Sequence, residues 1–207
     1  MSWDRFLKTH IQSLYAMDFF TIDTVLNRRY YVFFIIRHQT REIIQFGITL
    51  HPVKEFVRQQ MIEFSEDLKS RIYLIHDRTG EFGLRFEDYG ICGIKTSVQA
   101  PNMNAIAERF IGSVRREILD YFIIFSRFQL YHLLKTYIEY YNRRRPHQGI
   151  GQRIPKGFRI RTFGRIKSRP TLFGLNHEYY REAAWRIKIN PTGHNNGLLN
   201  EYCRVAA

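Results

Sequence analysis

Cysteine is nearly absent from this 207-residue chain, which has only Cys92 and Cys203. Two such residues make neither a disulfide framework nor a cysteine-rich metal site, which fits a reducing compartment. Missing too is any apolar run long enough to cross a bilayer. The stretch from Tyr30 to Ile36 is bounded by arginines and falls far short of the roughly 20 residues needed. The first residues, Met1-Ser2-Trp3-Asp4-Arg5, lack the basic-then-apolar layout of a secretion signal. The expectation is a soluble cytoplasmic protein with no membrane segment, and its 44% hydrophobic content is ordinary for a packed core. A fourth absence is local. Residues 143–170 hold ten Arg and Lys and no Asp or Glu, within a chain of formal net charge +13. Such a tract points to a polyanion, nucleic acid above all. The plainer alternative is a solvated tail, but Ile150, Ile154, Phe158, Ile160 and Phe163 interleave with the charges, as in a segment that docks.

The rest of the chain is patterned. Residues 13–22 alternate, with Leu14, Ala16, Asp18, Phe20 and Ile22 on one face, and predict a strand. Residues 29–37 and 42–50 predict two more, joined by a connection short enough for an antiparallel hairpin. Residues 53–69 have the apolar spacing of an amphipathic helix. Residues 71–76 predict a fourth strand, parallel to the first because a helical crossover precedes it, and residues 91–98 a fifth. Helices are expected over 104–124, with the ladder Ile106, Phe110, Val114 and Ile118, and over 127–142, with the stripe Phe128, Tyr131, Leu134, Tyr137, Ile138 and Tyr141. Pro146 ends the second. This order is the ribonuclease H-like α/β plan, a mixed five-stranded sheet with flanking helices. It divides the chain into a core over 1–142, a basic extension over 143–184 and an unassigned tail over 185–207.

Three acids stand out in this plan. Asp18 shares a face with core residues, where an uncompensated charge is costly. Asp77 follows the fourth strand, and Glu108 lies in the first turns of a helix. They are separated by 58 and 30 residues, so only tertiary folding can gather them. In the ribonuclease H-like plan the first and fourth strands are neighbours, which sets Asp18 beside Asp77. Converging hard oxygens suit Mg²⁺. Nearby groups read differently. Asp23 falls at a strand end, Glu117 is out of phase with Glu108 on the helix, and alternation turns His76 away from Asp77. Asn102 and Asn104 read first as helix caps, with Asn104 also placed to touch DNA. Tyr131, Tyr137, Tyr140 and Tyr141 read as core packing before base stacking.

Four segments carry a family resemblance: Ala16-Met17-Asp18-Phe19-Phe20-Thr21, His76-Asp77-Arg78-Thr79-Gly80-Glu81-Phe82, the run from Ala100 to Phe110, and Tyr141-Asn142-Arg143-Arg144-Arg145-Pro146-His147-Gln148-Gly149. In this order they resemble the integrase core of bacterial insertion-sequence transposases, in the DDE recombinase group with retroviral integrases. The resemblance spans residues 3–182. It implies a DNA strand-transfer enzyme with two Mg²⁺ ions, for which Mn²⁺ can substitute, and Asp18, Asp77 and Glu108 as its catalytic, metal-binding triad. It also implies double-stranded DNA, as element ends and target, for partner, a homo-oligomer on that DNA, and a bacterial, nucleoid-associated location. DNA contacts are expected from Asn104, Arg143, Arg144, Arg145, His147, Arg153, Lys156, Arg159, Arg161, Arg165, Lys167 and Arg169. The interval between Asp77 and Glu108 is shorter than the family's, with the missing length around Leu84 to Cys92. A shorter surface connection and an undisplaced Glu108 are therefore expected, with some distortion of the fifth strand. Two other readings share these residues: a remnant that binds DNA without cutting, and a nuclease that hydrolyses without joining.

Overall fold

The computed structural model describes residues 3–96, 104–157 and 163–182. A short helix, α1 (Trp3–His10), and a single 3-10 turn lead into β1 (Leu14–Asp23), which forms an antiparallel meander with β2 (Arg29–Arg37) and β3 (Ile43–Thr49). Helix α2 (Lys54–Glu66) carries the chain back across the sheet, so that β4 (Ile72–His76) runs parallel to β1 on its free side and β5 (Ile91–Lys95) parallel to β4. The order is β3-β2-β1-β4-β5, as the helical crossover predicts.

Alternation along β1 sorts its side chains into two cores. Leu14, Ala16, Phe20 and Ile22 pack beneath α3 (Ala105–Glu117) and α4 (Arg127–Arg143), while Met17, with Tyr15 and Phe19 against it, packs toward α2. Strand β2 is buried over Val32 to Ile36 because helices cover both of its faces. Asp18 therefore belongs to the face beneath α3, the one that its position between Ala16 and Phe20 requires.

Some elements depart from expectation. Helix α3 stops at Glu117, where Ile118 leaves helical geometry (φ −144°) and a 3-10 turn follows. That break lets Ile118, Leu119 and Ile124 all enter the core. Its buried face is Ala107, Phe110 and Val114, and Ile106 is only partly covered. Helix α4 is rotated from its aromatic stripe: Leu130, Leu133, Leu134, Tyr137 and Tyr141 are buried, whereas Phe128 is 82% exposed. Between β4 and β5, single 3-10 turns at Gly80–Phe82 and Phe86–Tyr89 fold Phe82 and Phe86 into the α2-side core. Phe86 lies where a side chain on Gly93 would stand, 2.6 Å from an ideal Cβ there. The shortened connection is thus packed by its own side chains, and β5 keeps regular register with β4 from Ile91 to Lys95. The expected distortion is not seen; positions 97 and 98 of the predicted strand lie outside the described residues.

The chain after α4 holds a hairpin that periodicity does not announce. Strands β6 (Ile166–Thr171) and β7 (Asn176–Arg181) pair antiparallel, yet every residue of β6 before Thr171 is exposed. Phe163, expected to dock, is 78% exposed; Leu172, at the hairpin's turn, enters the core instead. Residues 185–207 lie outside the described residues.

Candidate active site

The register of β1 on β4 runs from Leu14 opposite Tyr73 to Ala16 opposite Ile75. Carried two residues further, it sets Asp18 opposite Asp77. Pairing between the two strands stops there, while β1 continues along β2 to Asp23. The carboxyl ends of β1 and β4 thus open beside a point where the sheet changes from antiparallel to parallel pairing, the crevice where open α/β sheets bind ligands. Helix α3 packs over the same face of β1 and presents Glu108 in its first turn.

Asp18 is held on both oxygens. The Phe19 N–H donates to Oδ1 at 2.8 Å, and the Asn104 side-chain amide donates to Oδ2 at 2.9 Å. Burial pushes the Asp18 carboxyl up to about 6, and the negative charges of Asp77 and Glu108 add to the effect. Both acids therefore act on Asp18, although they come from a strand end and a helix far away in sequence. Asp77 is exposed one residue past β4, and its Oδ1 accepts from the Arg78 N–H at 2.7 Å and the Thr96 hydroxyl at 3.1 Å. Among the described residues no three Asp, Glu, His or Cys side chains are gathered closely enough to hold an ion. Asp77 and Glu108 each raise the cost of charge on Asp18, but among the described residues the three do not close into a metal cage.

Two neighbours take clear roles. Asn104 stands at the N-terminus of α3 but makes no capping hydrogen bond. Its amide goes to Asp18 instead, and its own Oδ1 is buried without a partner among the described residues. The cap reading is thus corrected: Asn104 positions a carboxylate. Asn102 lies outside the described residues. His76 is buried against Phe86, with Nδ1 2.8 Å from the Asp77 carbonyl oxygen, a packing role. Sequence reasoning passed over Thr96, whose short polar side chain carries no pattern of its own.

Asp18 also yields a stability prediction. Its folded-state pKa lies above the ordinary value, so the folded state holds the proton more tightly. Ionisation between about pH 4 and pH 6 therefore costs stability that is not recovered at higher pH. Asp18→Asn removes that cost. At pH 7.5 in chelator the variant melts higher, by an amount equivalent to about 1–3 kcal/mol, and the advantage disappears as pH falls toward 4. Thermal melts across that pH range check it; an advantage independent of pH assigns the effect to packing.

The basic extension is less free than its composition implies. Arg144 and Arg169 share Glu178, Arg145 grips Glu117 at 2.6 Å, Lys156 meets Glu42 at 3.2 Å, and Lys167 meets Glu182 at 2.6 Å. Glu117, out of phase with Glu108, is accounted for by Arg145 and by the Tyr137 hydroxyl at 3.2 Å. His147 is buried against the Tyr141 ring, and burial pushes it down to about 4, so it is neutral at pH 7 and does not act as a cationic phosphate contact. Arg143, Arg153 and Arg165 are exposed and have no acidic partner among the described residues; Arg159 and Arg161 lie outside them. Tyr137 and Tyr141 are core residues, while Tyr131 stacks on Phe46 at 5.4 Å and the Tyr140 hydroxyl accepts from Asn176. Asp23 is exposed at the end of β1 and paired with Arg29. No described helix is long and apolar enough to cross a membrane.

Residues 90–155, which include Glu108 but neither aspartate, match the family model of the integrase core domain. No curated protein matches the chain. Among solved structures, the catalytic domain of Mos1 mariner transposase is similar at 12% identity and a TM-score of 0.54, over 65% of this chain and 74% of that one. The catalytic core domain of BIV integrase is similar at 14% identity and a TM-score of 0.53, over 70% and 91%. The HTLV-2 integrase catalytic core domain, solved in complex with magnesium in a trimeric form, is similar at 10% identity and a TM-score of 0.53, over 68% and 92%. By the family match over residues 90–155 and by its mixed five-stranded sheet, the chain resembles the integrase core domain family and has the ribonuclease H-like fold of transposase and retroviral integrase catalytic cores.

Proposed function

We propose that the chain is the catalytic core of a DNA transposase or integrase. In this reading it is a polynucleotidyl transferase that cuts a strand of double-stranded DNA at the end of a mobile element. It then joins the freed 3′-hydroxyl to a phosphodiester of target DNA. The observation that supports the reading is the register of β1 on β4, which, carried on, sets Asp18 opposite Asp77 at the open end of the sheet, on the face covered by the helix that carries Glu108. Carboxylate oxygens are the donors hard divalent ions take, and positive charge would reverse the desolvation and mutual repulsion of these three. The donor set fits Mg²⁺, with Mn²⁺ as substitute, held by Asp18, Asp77 and Glu108. When bound, such ions activate a hydroxyl nucleophile and neutralise charge on the scissile phosphate.

The protein's own part is positioning. Asn104 and the Phe19 N–H occupy both Asp18 oxygens and fix the plane of that carboxylate. Arg78 and Thr96 anchor Asp77 through one oxygen, Oδ1. Arg143, Arg153 and Arg165, with Arg159 and Arg161, supply phosphate contacts that hold DNA without reading its sequence. On DNA the chain acts as a homo-oligomer in the bacterial cytoplasm. The test uses duplex DNA carrying an element end. Nicking in Mg²⁺ but not in EDTA, followed by joining of a pre-cleaved 3′-hydroxyl end to a target, supports the reading. Nicking without joining reassigns the chain as a nuclease, and tight DNA binding with neither activity makes it a binding remnant.

A further inference from the structure

A cavity of about 560 Å³ lies between the turn joining β2 to β3, the flank of α3 and the loop that follows α4. Its lining includes Arg41, Arg109, Arg116 and Arg145 and no Asp or Glu. Arg145 is already paired with Glu117, but the other three have no ion-pair partner among the described residues. Two of these guanidinium groups converge. Arg41 Nη2 and Arg109 Nη1 lie 3.7 and 3.9 Å from the same point, the place where a Cβ on Gly149 would stand. Arg109, Ser113 and Arg116 share one side of α3, about 100° around the helix from Glu108.

Arg41 is held at a cost. Its backbone sits in the left-handed region at φ 64°, which a residue with a Cβ rarely adopts. Its Nη1 is buried without a hydrogen-bond partner among the described residues. Burial and the neighbouring charge of Arg109 hold its pKa below the usual arginine value. An anion between the two guanidinium groups would accept from Arg41 Nη2 and Arg109 Nη1 and cancel the repulsion between them, and the planar fork of arginine is suited to phosphate oxygens.

We propose that this cleft is a phosphate-binding pocket in which Arg41, Arg109 and Arg116 seat one backbone phosphate of the DNA strand. The assignment rests on the reading of the chain as a DNA-processing core, and extends it. Arg109 adjoins Glu108 on the same rigid helix, so a phosphate fixed in the cleft sets the strand's register against the acidic site. None of the cleft's three unpaired arginines belongs to the basic tract after α4.

The test compares Arg41→Gly, Arg109→Gln and the double variant with wild type, using the full chain, duplex DNA and a salt titration of binding. Arg41→Gly relieves the left-handed backbone and removes the charge, so it melts at or above the wild-type temperature while losing affinity. Each single variant flattens the log-log salt slope by about 0.9, the share of one phosphate. The double variant flattens it little further, because both residues hold the same group. Sodium pyrophosphate at matched ionic strength raises the wild-type melting temperature and leaves that of Arg41→Gly unchanged. Unchanged slopes in both single variants overturn the proposal, and they leave the transposase reading standing if Mg²⁺-dependent nicking persists. Pyrophosphate protection with unchanged DNA slopes also overturns it, and assigns the cleft to free phosphate compounds. Flattened slopes in a chain that never nicks DNA uphold the pocket and sink the enzyme.

Discussion

Asp77→Asn eliminates Mg²⁺-dependent nicking and joining, a loss on the order of 10³-fold or more, while the protein stays folded with a melting temperature no lower than wild type. The fold survives because Asp77 is exposed beyond the end of β4 and supports no core contact. Its Oδ1 accepts from the Arg78 N–H and the Thr96 hydroxyl, and an amide oxygen can accept from both, though without the carboxylate's charge. What asparagine cannot supply is the anionic oxygen that a hard divalent ion requires. Removing the charge also withdraws one of the influences that raise the Asp18 pKa, so the pH-dependent stability cost at Asp18 shrinks in the same variant. Gel-resolved cleavage and joining of labelled duplex, beside a thermal melt, separate the possibilities. Undiminished cleavage removes Asp77 from the site, and a lowered melting temperature assigns any loss to folding.

Asn142→Ala unfolds the protein at a markedly lower temperature. Asn142 is buried near the end of α4, and its side chain completes the edge of the sheet: Oδ1 accepts from the Ile43 N–H at 2.9 Å, and Nδ2 donates to the Ile43 carbonyl at 2.8 Å. One amide thus stands in for the strand that β3 lacks on its outer side, and ties α4 to a residue 99 positions away. Alanine leaves a buried donor and a buried acceptor unmet, at about 1–3 kcal/mol each. A total of about 3 kcal/mol lowers the melting temperature of a domain this size by about 6–12 °C. Asn142→Asp does no better, because a carboxylate placed against the Ile43 carbonyl repels it. A shift below about 2 °C in either variant means that water reaches the edge of β3 and the amide pair is dispensable.

The acidic site was legible because it depends on periodicity. Alternation put Asp18 on the face of Leu14, Ala16, Phe20 and Ile22, and a helical crossover between the meander and the fourth strand dictated that β1 and β4 be neighbours. Those two regularities suffice to set Asp18 opposite Asp77 in the sheet, and the apolar positions of α3 suffice to lay that helix over the same face. The Asn104 amide was not legible, since a helix-start asparagine looks the same whether it caps the backbone or holds a carboxylate.

The basic tract shows the limit more sharply. Ten cations without an intervening acid look unpaired along the chain, but Glu42, Glu117, Glu178 and Glu182 reach in from other elements to neutralise Arg144, Arg145, Lys156, Lys167 and Arg169. Meanwhile Arg41, Arg109 and Arg116, scattered through the first part of the sequence, end up lining one cleft. By itself the sequence determined the order of the five strands of the main sheet, the face of β1 on which Asp18 stands and the amount of charge, but not the hairpin after α4. Only the tertiary structure decided which charges are cancelled and which are left facing one another. Patterning is a property of neighbours along the chain, whereas electrostatic energy depends on separations in space that folding alone sets.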